Sequence, residues 1–141
     1  MISRQDDNTL KVWNLETRKE LFTFKGQIEV ILAVAPDGKR MISRQDDNTL
    51  KVWNLETGKE LFILRGHNDS VLAAAVTPDG KRVISGSFDN TLKVWDLESQ
   101  AVVTSFSGDG ALECCTVAPD GVTIVAGEAS GRVHFLRLEG V

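Results

Sequence analysis

Seventeen residues, MISRQDDNTLKVWNLET, occupy positions 1–17 and return unchanged at 41–57. Laid against itself, the chain has a period near 41: Trp13, Trp53 and Trp95 recur at intervals of 40 and 42, as do Gly26, Gly66 and Gly108. Residues 1–26 match residues 41–66 everywhere except at positions 18, 23, 24 and 25. A period of this size is the mark of an array, in which one supersecondary unit buries its apolar face only by stacking on the next.

Within each period the apolar residues alternate in short runs bounded by turn formers, the pattern of strands rather than helices. The best copy divides into Val71 to Thr77, Arg82 to Ser87, Thr91 to Leu97 and Ala101 to Phe106. Between the first two runs lies Pro78-Asp79-Gly80, and the same tripeptide stands at 36–38 and 119–121. Proline presets one turn dihedral and glycine accepts a positive φ. Asp89-Asn90 forms the next tight turn. Each period is therefore predicted to be a four-stranded antiparallel meander.

The copy that runs Gly66-His67 and then Val83-Ile84-Ser85-Gly86-Ser87-Phe88-Asp89-Asn90-Thr91-Leu92-Lys93-Val94-Trp95-Asp96 resembles a WD40 repeat, with its GH and WD signatures at the expected separation. The resemblance extends over essentially the whole chain. It implies an all-β propeller, whose blades pack face to face around a channel. It also implies a polar network in which His67, Ser85, Asp89 and Trp95 pin the loops to the sheet. The preceding copy keeps Ser43, Asp47 and Trp53 but has Gln27 in the histidine place. The first keeps Ser3, Asp7 and Trp13 without a histidine-bearing segment. The last has Asp109, Ala126, Ser130 and Leu136, so that nothing of the network is expected there.

With strands a to d named from the channel outwards, the chain reads bcd, abcd, abcd, abc. The expected units are a partial blade at 1–26, blades at 27–66 and 67–108, and a partial blade at 109–141. This is an incomplete array of about 3.5 blades, short of the roughly four to eight that close a ring. The uncovered end blades call for self-association, a dimer ahead of a trimer, with the ring closed by oligomerisation. The tail from Gly131 to Glu139 resembles the closing segment of bacterial WD40 proteins. The competing reading is a C-terminal piece of a longer propeller without independent function.

Chemistry is sparse. A serine, a histidine and an aspartate invite comparison with a catalytic triad, but their recurrence with tryptophan as a fourth partner argues for a structural role. No phosphate loop or metal spacing appears, so no cofactor is expected, and a propeller enzyme is the third-ranked reading. Twenty acidic residues against sixteen basic ones give a net charge of −4, which offers no electrostatic footing on nucleic acid or an anionic membrane. No apolar run approaches the roughly 20 residues of a membrane span, and no signal peptide is visible, so a cytoplasmic location is expected. Adjacent Cys114 and Cys115 are expected reduced and packed on an inner strand, and His134 solvated.

The WD40 resemblance implies a platform for a protein or peptide, bound at the rim of d–a and b–c loops. Phe88 is the candidate anchor, unless it packs on its own loop or on a neighbouring blade. Asp6 and Asp46 hold the equivalent place in the earlier copies, and Arg4 and Arg44 replace the Gly86-type residue. Asn68 and Asp69 complete the candidate rim.

Overall fold

The computed structural model describes residues 2–4, 9–14, 19–25, 30–45 and 47–138, with side chains from residue 31 onward. The described residues contain fourteen strands: β1 (Ile2–Arg4), β2 (Thr9–Asn14), β3 (Lys19–Lys25), β4 (Val30–Val34), β5 (Arg40–Arg44), β6 (Leu50–Asn54), β7 (Glu60–Leu64), β8 (Val71–Val76), β9 (Arg82–Ser87), β10 (Thr91–Asp96), β11 (Ala101–Ser107), β12 (Leu112–Val117), β13 (Thr123–Glu128) and β14 (Val133–Arg137). They form four antiparallel meanders, ordered β1-β2-β3, β4-β5-β6-β7, β8-β9-β10-β11 and β12-β13-β14. We refer to these as the first to the fourth sheet. The strand pattern is that of incomplete propeller blades, and no ring closes within the described residues.

Local chemistry sets the turns. In each Pro-Asp-Gly the glycine has a positive φ, 73° at Gly38, 72° at Gly80 and 75° at Gly121. Its N–H donates three residues back, to the carbonyls of Ala35, Thr77 and Ala118. The aspartate then caps the turn: Asp37, Asp79 and Asp120 each accept a backbone N–H from two residues on, at 2.9 Å. Asn48 and Asn90 occupy the left-handed region between the second and third strands of their sheets, where asparagine is tolerated better than most residues. A bulge recurs just before the tryptophan, at Val12/Trp13, Val52/Trp53 and Val94/Trp95, and the extra twist there is built into the repeat.

Sheets pack front to back, with β8 lying between β4 and β12. The second sheet contributes Ile42, Leu50, Val52 and Leu64 to a core completed by Val71, Ala74, Val76, Val83 and Trp95 of the third. The third sheet in turn gives Ile84, Leu92 and Val94 to a core with Leu112, Ile124 and Ala126 of the fourth. Alternation along each strand sends successive residues into successive cores.

The two junctions differ at one position. Gly86 lets β12 come close, since a Cβ there would stand 2.7 Å from the Leu112 carbonyl oxygen. In the second sheet the same place is Arg44, whose Nη1 donates across the junction to the Val71 carbonyl at 3.4 Å.

Candidate functional site: an anchored loop rim

The third sheet carries the full polar network. Trp95 Nε1 donates to Ser85 Oγ at 2.8 Å, Ser85 Oγ lies 2.6 Å from His67 Nε2, and His67 Nδ1 lies 2.9 Å from Asp89 Oδ2. Because a carboxylate only accepts, Nδ1 bears the proton and Nε2 receives the serine hydroxyl. Asp89 also accepts from the Asn68 N–H and the Thr91 N–H, both at 2.9 Å, and from the Thr91 hydroxyl. One side chain thereby ties the loop before β8 to the loop between β9 and β10.

Burial pulls the His67 pKa down, and Asp89 offsets only part of that, so the ring is held neutral. Burial alone would raise Asp89, but the Thr91 hydroxyl, the Asn68 N–H and His67 outweigh it and bring the carboxyl down to about 2. The triad-like geometry does not make an exposed nucleophile. Ser85 is completely buried, and its oxygen already accepts from Trp95.

On the outside of this anchor sits Phe88, 54 % exposed, with its N–H donating to the Ser70 carbonyl at 2.9 Å. Asn68 and Asp69 are exposed on the adjoining loop. Asp69 itself is tied down, its carboxylate accepting the Ser70 N–H at 2.7 Å and its carbonyl the Ser87 hydroxyl at 3.1 Å. Phe88, Asn68 and Asp69 are thus brought together as one aromatic and polar patch on braced loops.

The other candidate residues fare differently. In the second sheet Trp53 Nε1 donates to the buried Ser43 Oγ at 2.8 Å, and Gln45 Nε2 approaches the same oxygen at 3.4 Å. Asp47 does not join that buried pair: it is exposed and accepts from the Thr49 hydroxyl, which holds its carboxyl below the usual range. The expectation that Asp47 shares a network with Ser43 and Trp53 is corrected there, in a copy whose sequence lacks the histidine that reaches an aspartate. Arg44 belongs to the sheet junction rather than to an open rim. Asp6, Asp7 and Asp46 lie outside the described residues, as do the side chains of Ser3, Arg4 and Trp13.

The fourth sheet holds residues that the sequence reading missed. Glu128 is buried, accepts the Gly110 N–H at 2.6 Å and pairs with His134 Nε2. That pairing is the largest influence lowering the Glu128 carboxyl. His134 also meets the Phe106 ring edge to face at 4.9 Å between centroids. It is therefore part of the sheet junction and not a solvated side chain; the fold brings Glu128 within reach of it, two residues beyond its register partner Ala126. Cys114 is exposed, contrary to the packed role expected for it, because it faces away from the third sheet. Cys115 faces that sheet, its thiol 3.7 Å from the Ile84 carbonyl, and burial pushes it up to about 12.

Three- and four-stranded meanders, stacked front to back at the described junctions, with a Ser-His-Asp-Trp network bracing the loops at one edge of the third sheet, define a repeat-built all-β array. The WD domain, G-beta repeat family matches residues 18–54 and 58–96, and the chain belongs to that family. Each matched stretch starts with the outermost strand of one sheet and ends with the third strand of the next. WD40 domains generally bind proteins or peptides and are generally not enzymes. No curated protein matches the chain significantly.

Proposed function

We propose that this chain is a protein-interaction module in which copies associate to complete a propeller of WD repeats, and that the rim around Phe88 receives a protein or peptide. The observation that carries the reading is the half-exposed Phe88 ring next to Asp89, whose carboxylate is locked by four groups. A partner that covers an aromatic on a braced loop loses little loop entropy on binding. Asn68 and Asp69 supply polar contacts beside it, and the ligand that fits is an extended segment with an apolar side chain flanked by hydrogen-bonding groups. The buried Ser85 supports binding rather than catalysis.

Selection from a random peptide display library against the chain, repeated with Phe88→Ala, tests the rim. Sequences enriched on the parent chain and lost on the variant are expected. Equal enrichment on both, with the variant folded, overturns the rim. Assembly is tested by light scattering coupled to size exclusion, where twice the 15.4 kDa chain mass is expected. A stable, compact species of single-chain mass contradicts self-association.

A further inference from the structure

We propose that the front of the fourth sheet is the docking face for a second copy of this chain, which lays the back of its first sheet on it, head to tail. The inference rests on the self-association proposed above and names its surface and its occupant.

The front face of each sheet repeats. Its paired rows are Ala73, Gly86 and Leu92, and Ala75, Ile84 and Val94, in the third sheet. In the fourth they are Cys114, Gly127 and Val133, and Thr116, Val125 and Phe135. Leu50 and Val52 of the second sheet are 0 % exposed under the third, and Leu92 and Val94 are 2 % and 3 % exposed under the fourth. Their counterparts Val133 and Phe135 are 57 % and 76 % exposed. Gly127 adds to the open face by leaving room for Cys114, whose sulfur lies 2.7 Å from where a Cβ would be.

The molecule itself says what covers such a face. At both described junctions a front meets a back, never another front, and the covering back presents the residues aligned with Val83 and Trp95 or with Ile124 and Leu136. In the sequence of the first copy the equivalent positions are Met1 and Trp13. The first sheet has the strand register of the second, Ile2 opposite Val12 as Ile42 is opposite Val52. In the second sheet the matching Met41 and Trp53 are buried. Among the described residues, the front of the fourth sheet stays open at Val133 and Phe135. One copy therefore offers the front that the back of another copy's first sheet fits, a head-to-tail contact of the kind that joins the sheets within the chain.

The test uses the 141-residue chain with Cys115→Ser, which leaves the exposed Cys114 as the reporter. Thiol labelling of Cys114 is followed with light scattering over a dilution series. Labelling is expected to slow as the mass rises, and Phe135→Asp is expected to restore it and to weaken association by roughly tenfold or more. Circular dichroism checks that this variant folds, Val133→Lys serves as a second disruption of the face, and Phe88→Ala at the rim should leave the mass unchanged. Mixed isotopically light and heavy chains, joined with a thiol-to-amine reagent, should give links from Cys114 to Lys11 of the other copy. Associated chains in which Cys114 labels freely and neither face variant alters the mass overturn this face while leaving self-association standing. A Cys114–Cys114 bridge between copies, the sign of two fronts in contact, overturns the occupant. A chain that is a monomer at all concentrations overturns both proposals.

Discussion

Gln100 has φ 61°, in the left-handed region that side chains with a Cβ enter at a cost, whereas the equivalent turn of the second sheet has Gly58 at 75°. Gln100→Gly should therefore raise stability by up to about 1 kcal/mol, the strain relieved being partly offset by the extra freedom of glycine in the unfolded chain. The denaturation midpoint measures it. The network gives a second prediction. Folded His67 has a pKa below 6.5, so its contribution is complete above that pH and is lost as the pH falls, because only the unfolded chain takes up the proton. Asp89, at about 2 against 3.8, acts in the same direction at lower pH and should remove ~2 kcal/mol between those values. Stability measured against pH should fall in these two windows, and His67→Gln should abolish the first. An unchanged first limb in that variant would assign it to another group.

Strand positions were legible because their causes are local. Pro-Asp-Gly dictates a turn wherever it stands, and period-two alternation marks the runs between turns; Arg82 to Ser87 was read at the bounds that β9 has. Face partners were not legible, since they depend on which sheet lies against which. Cys114 and Cys115 are neighbours in sequence, yet only one meets the third sheet. Likewise His134 aligns with Lys93 and gave no sign that Glu128 waits beside it. At the element scale the close approach at Gly86 yields a sharp expectation. Gly86→Ala places a methyl against the backbone of β12, which cannot give as a side-chain end can, and should cost about 1–3 kcal/mol. Denaturant unfolding of the variant checks this, and an unchanged midpoint would mean that the fourth sheet shifts freely on the third.

Across the whole molecule, the two described junctions bury continuous apolar cores while Val133 and Phe135 remain open. Raising chain concentration should thus raise the melting temperature, since association stabilises the folded form by mass action. Phe135→Asp should remove that dependence, and a concentration-independent melting temperature in the parent chain would contradict it. The unlike pair Arg44 and Gly86 has a consequence for how such a chain can be rearranged. The second and third copies look like interchangeable beads, but a long guanidinium stem grafted at 86 would collide with the strand that the glycine admits, and a bare glycine at 44 would forfeit a cross-junction tether. Exchanging these two copies would therefore produce misfits, and the order of the second and third sheets is encoded in the seams on either side of the third.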